Sequence, residues 1–369
     1  MTPSLRKPLL AVHLWAGLVV GAVLIFIALT GGALIFRDKL ERPFDAARFI
    51  VPAGAARLPA DELVARAVAA RPNAELESVR FYGDPTAPFL VYFTDKNYVH
   101  LNPSTGEVLG VRARYGEGFG WIEGLHKYLA FEPSALGEKI NGSFAFAFAG
   151  IILTGFVLWW PATRRALKAG LTLNRKLSGR PWNLNLHKAL GAYAGAVLLV
   201  LAFTGVPIAF DSMKAALYPL TGSVKPELPV AASPLAPFVG FTIIAREIDR
   251  LMPAARETYI PLPNNGLVRA YAMAADAPHP NARSYTHFEA ADARLLRFDP
   301  FATAPAGYRA YYWMMSIHMG VVGGWPLKII LLLAALAVPV LAWTGTASYL
   351  KRRAAKVARV VIGVGVVPS

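Results

Sequence analysis

The chain contains no cysteine among its 369 residues. This absence excludes disulfide bonds, iron–sulfur clusters, zinc sites built from thiolates and covalently attached c-type haem. Acidic residues are also scarce, because 23 Asp and Glu face 38 Lys and Arg and leave a net charge of +15. A chain this basic suggests either nucleic acid or a membrane surface as its partner, and the distribution of the charge distinguishes the two.

Three segments lack acidic residues altogether and together hold fourteen basic ones: the N-terminus, residues 161–188 and the tail from residue 351. All acidic residues lie in 37–140 and 211–325, where the remaining basic residues nearly balance them. Positive charge that collects on alternate connections is the positive-inside pattern of membrane proteins. We therefore expect both termini and the short middle loop in the cytoplasm, a lipid membrane as a partner, and no nucleic acid.

Four apolar runs are long enough to cross a bilayer as helices, which takes about 20 residues. The first run is not a cleaved signal peptide, because it is too long and lacks a small-residue cleavage site. The predicted fold is a membrane α-helical protein with α+β extracytoplasmic domains. Its parts are transmembrane helices at 1–36, 141–161, 187–210 and 326–350, outer domains at 37–140 and 211–325, a cytoplasmic loop at 162–186 and a cytoplasmic tail at 351–369.

The two outer segments repeat one order of elements. In the first, an amphipathic helix at 58–72 precedes three β-type runs, the last of them a hairpin. In the second, a helix at 241–252 precedes three further β-type runs. The run Tyr98-Val-His100-Leu matches Tyr285-Thr-His287-Phe, and each begins a hairpin. This internal similarity predicts a tandem duplication, with one outer domain in each copy.

Four histidines stand at the ends of the apolar runs, in two matched pairs. His13 and His187 are each followed by glycine at +4 and +8, namely Gly17, Gly21, Gly191 and Gly195. A Thr-Gly pair follows at +17 in both copies. His126 and His318 precede the second and fourth runs, which end in their own Thr-Gly pairs, Thr154-Gly155 and Thr344-Gly345. An ionisable residue at a membrane segment is a functional hypothesis.

Topology decides which histidines can share a ligand. His13 and His126 are separated by a bilayer thickness of about 30 Å, so the expected pairs are His13 with His187 and His126 with His318. Two imidazoles without a carboxylate or thiolate suit a six-coordinate haem iron. The glycines share a helix face with each histidine and would leave a groove for a porphyrin, although close helix packing is the alternative. We expect two haem b groups with these four histidines as axial ligands of the iron.

Other readings of the polar residues are weaker. A zinc site usually has three or four protein ligands, whereas each histidine pair offers two. Copper could use methionines near His318, but the first half of the chain has no matching methionines near His126. The threonines of the Thr-Gly pairs either bond their own helix or contact a ligand. His100 and His287 are expected on strands, with substrate contact left open, and His279 has no expected role. Cations that could meet haem carboxylates lie beside the histidines: Lys127, Lys188 and Arg309.

The helix-and-strand outer unit, with its turn at Pro103-Ser-Thr-Gly106, resembles a PepSY domain, although the second copy has Ala290-Ala-Asp-Ala293 there. The spacing H-x-x-x-G-x-x-x-G with a downstream Thr-Gly resembles the PepSY-associated transmembrane family. Its best-understood type is the FoxB-type siderophore-iron reductase of the bacterial inner membrane. The resemblance covers nearly the whole chain. It implies periplasmic PepSY-like domains, a membrane-bound oxidoreductase without acid–base catalytic residues, a ferric siderophore as acceptor, and a cytoplasmic or quinol electron donor.

Two other classes of function compete with this one. PepSY domains are associated with peptidase inhibition, so a non-redox membrane protein that binds or regulates a periplasmic protein or peptidase is the alternative. A transporter is disfavoured, because the apolar runs hold no acidic residue and no matched unwound segments. The aromatic residues before His318 would either line a cleft for a ferric chelate or anchor the membrane interface: Tyr308, Tyr311, Tyr312 and Trp313.

Overall fold

The computed structural model describes residues 3–44, 50–52, 56–131 and 134–364, so the last five residues of the expected tail lie outside it. Its helices are α1 (Pro3–Leu34), α2 (Arg37–Phe44), α3 (Ala60–Ala70), α4 (Gly118–Tyr128), α5 (Ser134–Trp159), α6 (Arg164–Leu171), α7 (Gly179–Ala209), α8 (Asp211–Leu220), α9 (Phe241–Leu251), α10 (Ala306–His318) and α11 (Gly324–Val364), with a short 3-10 turn at Phe301–Thr303. Its strands are β1 (Leu76–Tyr82), β2 (Phe89–Phe93), β3 (Asn97–Leu101), β4 (Val108–Ala113), β5 (Glu257–Pro261), β6 (Leu267–Met273), β7 (Ser284–Glu289) and β8 (Leu295–Asp299).

The chain divides into two compact units. The helical unit comprises Met1–Ile35, Leu125–Phe210 and Gly323–Ser369. The sheet unit comprises Phe36–Gly124 and Asp211–Val322. The sequence therefore builds each unit from separated stretches, as a chain does when its outer segments are inserted between membrane helices.

Four helices of the helical unit are long and apolar enough to cross a membrane: α1, α5, α7 and α11. The helices α5, α7 and α11 are longer than the predicted segments, whereas α1 lies within its predicted bounds. The helix α1 begins at Pro3, and α11 continues past the expected end at residue 350 to Val364. This extension follows from composition, because residues 351–359 are rich in Ala, Lys and Arg, which favour helix once a helix has started.

The four long helices form a ring of neighbours. The helix α1 packs against α5 and α11, and α7 packs against the same two, so that α1 and α7 lie on a diagonal. Their shared core holds the aliphatic residues Leu24, Ile152, Leu198 and Val338. A diagonal arrangement of the two histidine-bearing helices leaves the space between them to be filled by side chains or by a ligand.

Two lysines fix the direction of these helices. The Nζ of Lys328, near the start of α11, donates a hydrogen bond to the carbonyl of Ile35 after α1, at 2.7 Å. The Nζ of Lys139, near the start of α5, donates to the carbonyl of Ala209 at the end of α7. A cation at the carbonyl end of a helix is stabilising. The helices α1 and α7 therefore end where α5 and α11 begin. We call the opposite end, with the starts of α1 and α7, the basic end.

The sheet unit contains one eight-stranded antiparallel sheet of order β4-β3-β2-β1-β5-β6-β7-β8. The order of one helix followed by four strands occurs twice, and the two halves join where β1 pairs with β5. The helices α3 and α9 cover one face over a continuous core that includes Leu63, Val79, Ile244 and Phe288. Asp61 in α3 accepts hydrogen bonds from the backbone of Phe241 and Thr242, and the Thr242 hydroxyl accepts one from the Asp61 backbone. These reciprocal caps tie the halves together.

Candidate functional site

His13 of α1 and His187 of α7 meet inside the helical unit. Their ring centres are 6.2 Å apart and the ring planes are nearly perpendicular, at 88°. These histidines belong to the two diagonal helices, and their rings meet between those helices. The structure thus brings together the pair that the sequence predicts for the basic end.

Each ring of this pair is held by the neighbouring helix through Nδ1. The Nδ1 of His13 lies 3.0 Å from the carbonyl oxygen of Ile151 and 3.1 Å from Thr154 Oγ1. The Nδ1 of His187 lies at the same two distances from the carbonyl of Leu341 and from Thr344 Oγ1. A carbonyl oxygen can only accept, so Nδ1 carries the proton in both rings. In the neutral imidazole each Nε2 then keeps its lone pair, as a metal ligand requires.

The Thr-Gly pairs of the neighbouring helices pack against these rings. The hydroxyl of Thr154 donates to its own helix at Gly150, which is one of the two expected roles, and its oxygen also lies beside His13 Nδ1. Contact of the threonine with a ligand stays a prediction. The glycine that follows leaves room for the ring, because a Cβ at Gly155 would stand 3.1 Å from Cε1 of His13. At Gly345 the corresponding distance to Cε1 of His187 is 3.4 Å.

His126 packs against a third Thr-Gly pair in the same way, at the opposite end of the bundle. Its Nδ1 lies 3.0 Å from the carbonyl of Ile27 and 3.2 Å from Thr30 Oγ1. A Cβ at Gly31 would stand 2.9 Å from Cε1 of the ring. His318 is the last residue of α10 and belongs to the sheet unit. The predicted pairing of His126 with His318 stays a prediction.

The glycines near His13 and His187 divide into two kinds. A Cβ at Gly17 would meet nothing within 4 Å, and one at Gly191 would meet only a methyl of Leu341 at 3.7 Å. A Cβ at Gly195 would stand 2.9 Å from the ring of Phe156, and one at Gly21 would just touch Ala342. The first glycine of each pair therefore borders open space. Close helix packing explains Gly195, whereas it does not explain Gly17.

The open space is a cavity of about 410 Å³ lined mostly by apolar side chains. Both histidines and all four glycines border it. Its volume lies within the usual range of ligand and cofactor sites, roughly 300–1,000 Å³. Among the described residues no group of three or more His, Cys, Asp or Glu is arranged to hold a metal ion, so the cavity does not offer a zinc-type ligand set.

The donor set fits a haem. An imidazole nitrogen binds a first-row metal at roughly 2 Å, and the ring centre is roughly 1 Å further, so two axial rings are centred about 6 Å apart. The observed separation of 6.2 Å matches this spacing. Two imidazoles with a fixed tautomer and a glycine-bordered cavity are features that a bis-histidine haem needs from a protein.

The three cations that were expected to meet haem carboxylates have different surroundings in the structure. Lys188 borders the cavity. Lys127 lies over the ring of Tyr128 at 5.1 Å, and Arg309 donates to the carbonyl of Ala302 within the sheet unit. The structure adds three arginines to the cavity wall that the sequence analysis did not select: Arg6, Arg180 and Arg352.

The histidines on the strands of the sheet unit are enclosed by protein. His100 and His287 are 0% and 1% exposed, which argues against direct contact with a large chelate. The Nε2 of His287 lies 3.0 Å from Asp299 Oδ2, with Arg297 beside both. Burial and the nearby Arg297 lower the pKa of His287 more than Asp299 raises it. This imidazole is therefore neutral at pH 7.

His279, for which the sequence suggested no role, is 2% exposed and anchors α10. Its Nδ1 accepts a hydrogen bond from the backbone of Asn281 and lies 2.9 Å from Ser316 Oγ. Its ring packs against Trp313 with centres 4.4 Å apart. Burial lowers its pKa. Flanking prolines suggested only a loop, and no local pattern revealed that this loop packs against α10 two residues before His318.

The aromatic residues of α10 pack within the sheet unit. Tyr311 and Tyr312 are 8% and 3% exposed, and the hydroxyl of Tyr308 donates to the carbonyl of Arg283. Trp313 remains partly exposed at 40%. These tyrosines stabilise the position of α10, so a chelate cleft lined by them would need their side chains to move.

A comparison of sequences agrees with this organisation. The profile of the PepSY-associated TM region matches residues 10–352, which extend from α1 to α11 and include both halves of the chain. No curated protein gives a significant match. Together with the four apolar helices, the profile match fits a multi-pass membrane protein. The chain therefore belongs to the PepSY-associated transmembrane family.

Proposed function

We propose that the protein is a haem-containing electron-transfer protein of the bacterial inner membrane, in which His13 and His187 hold a haem b. One observation carries this proposal: two imidazoles with Nδ1 bound to a carbonyl and Nε2 free are centred 6.2 Å apart at a glycine-bordered cavity. Bound haem would supply reversible one-electron chemistry of iron. The chain would hold it, fix the imidazole orientation and keep water away with apolar walls.

The charge distribution supports an orientation. The basic end carries the segments that lack acidic residues, so the positive-inside pattern puts it in the cytoplasm and the sheet unit in the periplasm. We take the two halves as a tandem duplication of one PepSY-like unit. On this basis His126 and His318 would hold a second haem. His13 and Thr30, which holds His126, are 17 residues apart on α1, roughly 25 Å along the helix.

The acceptor that we propose is a ferric siderophore, as the likeness to FoxB-type reductases implies. The net step takes one electron from the protein and converts chelated Fe³⁺ to Fe²⁺, which the chelator holds weakly. The electron donor would be a cytoplasmic reductant or a quinol. The protein would then act as a membrane-bound oxidoreductase whose site residues hold cofactors.

Two measurements on the detergent-purified chain test this function. The first is haem content and visible spectrum after expression in haem-replete cells, where we expect non-covalent, low-spin haem b. The second is stopped-flow reoxidation of the reduced protein by a ferric siderophore and by its gallium analogue, which has the same shape and no accessible reduction. Only the iron complex should reoxidise it.

The outcomes separate the candidate functions. A colourless preparation would remove the redox function and favour the non-redox PepSY protein that binds a periplasmic protein or peptidase. A low-spin haem protein that is inert to several ferric siderophores would keep electron transfer and remove the siderophore as acceptor.

A further inference from the structure

Four cationic side chains border the cavity that holds His13 and His187. They come from three helices: Arg6 from α1, Arg180 and Lys188 from α7, and Arg352 from α11. All four are exposed residues, and they contrast with the mostly apolar wall of the cavity. A site with an apolar body and cations at one edge suits a ligand that is itself flat, apolar and anionic along one edge.

Two of these arginines are placed identically relative to the histidines. Arg6 precedes His13 by seven residues, and Arg180 precedes His187 by seven residues. Seven residues are two helical turns, so each arginine lies on the same helix face as its histidine and roughly 10 Å nearer the basic end. The duplication of this spacing shows that the cation and the imidazole form one repeated feature of α1 and α7.

The chain supplies no anion to these cations at the basic end. Residues 1–37, 139–210 and 326–369 contain no Asp or Glu. On the four long helices the acidic residue is Glu138, near the start of α5 and therefore at the end opposite to these cations. Exposed arginines without a carboxylate of their own are available to a ligand, and guanidinium binds carboxylate in a two-pronged geometry.

We propose that Arg6 and Arg180, with Lys188 and Arg352, bind the carboxylates of a tetrapyrrole seated between His13 and His187. This inference rests on the proposed haem function and adds the orientation of the ligand. The carboxylate edge faces the basic end, and the apolar edge lies against Gly17 and Gly191. The four cations then serve as positioning residues that select a dicarboxylate macrocycle over a neutral one.

Anionic lipid headgroups share this chemistry, since phosphate and carboxylate both attract arginine near a membrane surface. The cavity favours the tetrapyrrole, because the arginines border the same cavity as the histidines. A lipid would need the cations and would be indifferent to His13 and His187. The experiment therefore has to remove the carboxylates from the ligand and leave its flat body unchanged.

The test titrates the full-length protein, purified from haem-depleted cells, with haem and with haem dimethyl ester, which lacks free carboxylates. We expect the wild type to bind haem about tenfold more tightly than the ester, which corresponds to about 1.4 kcal/mol shared between two exposed ion pairs of modest strength. In the double variant Arg6→Gln/Arg180→Gln this ratio should approach one, while affinity for the ester stays unchanged. Unchanged ester binding also shows that the variant is folded.

The matched control is Arg165→Gln/Arg353→Gln, which removes the same charge from exposed residues that do not border the cavity. It should keep the tenfold ratio. An unchanged ratio in Arg6→Gln/Arg180→Gln would overturn the proposal, and a parallel loss of binding to vesicles containing phosphatidylglycerol would then assign the arginines to lipid. Failure of every protein to bind either haem or ester would overturn the haem function itself.

Discussion

The paired histidines of the helical unit and the buried histidines of the sheet unit have opposite surroundings. His13 and His187 each donate a hydrogen bond from Nδ1 to a backbone carbonyl and border a cavity. His279 and His287 are buried, and their rings take part in hydrogen bonds and aromatic contacts with neighbouring side chains. The comparison shows that histidines of one chain differ in how their ring nitrogens are used. At the proposed site the neighbouring helix fixes one nitrogen and leaves space at the other, as a metal ligand would require.

The largest expected effect comes from removing a ligand histidine. His13→Ala and His187→Ala should each lose the haem of the basic end, because a single remaining imidazole leaves the iron five-coordinate or the site empty. His126→Ala and His318→Ala should lose the other haem. Haem content and visible spectra of the four variants measure this. If His13→Ala gave the same spectrum as His126→Ala, the pairing by topology would be wrong.

The glycines sharpen the comparison within the cavity. Gly17→Leu should lower haem occupancy and leave expression and thermal stability close to wild type, because its side chain enters open space. Gly195→Leu is the matched variant, since its Cβ would stand 2.9 Å from the ring of Phe156 and should cost folding first. Haem-to-protein ratio and the melting temperature of the same samples separate the two. Equal loss of folding in both variants would favour helix packing as the role of Gly17.

A variant of His279 tests the opposite expectation for the sheet unit, which is a loss of stability without a loss of haem. His279→Ala should lower the free energy of unfolding by about 2–3 kcal/mol, because it removes a buried hydrogen bond to Ser316 and aromatic packing on Trp313. The haem of the basic end should keep its spectrum and occupancy. Denaturant unfolding followed by tryptophan fluorescence and by Soret absorbance measures both. Loss of the basic-end haem with unchanged stability would show that the two kinds of histidine are misassigned.

The smallest expected effect is a pH dependence of stability. His287 has a folded-state pKa below its ordinary value of 6.5, since burial and Arg297, with Arg269, outweigh Asp299. The unfolded chain therefore binds a proton at His287 more readily than the folded chain does. The contribution of the neutral His287 to stability is complete above pH 6.5 and declines as the pH falls below that value. His287→Gln should flatten the decline of unfolding free energy between pH 7 and pH 5. A slope identical to that of the wild type would show that His287 does not cause this pH dependence.

Much of the fold follows from the sequence, because its signals are long and repeated. Four apolar runs, two amphipathic helices and two sets of β-type runs were enough to predict membrane helices and α+β domains, which the structure contains. The ends of the helices were less predictable. Residues 351–359 read as a charged tail, whereas they continue α11, since helix propensity does not depend on a residue being apolar.

The site was predictable only in part. Equal spacing identified His13, His187 and the glycines, and topology paired them. The carbonyls of Ile151 and Leu341 could not be identified, because a backbone acceptor leaves no mark on the sequence. The packing of the His279 loop on α10 was likewise hidden, since it depends on a contact 37 residues away along the chain.

The central claim is that His13 and His187 hold one haem together. The most direct measurement is low-temperature electron paramagnetic resonance of the oxidised His126→Ala/His318→Ala variant, which keeps the basic-end pair and lacks the other predicted pair. The account predicts a low-spin ferric signal of bis-imidazole type, strongly anisotropic because the two ring planes are 88° apart. A high-spin five-coordinate signal, or a variant without haem, would contradict it.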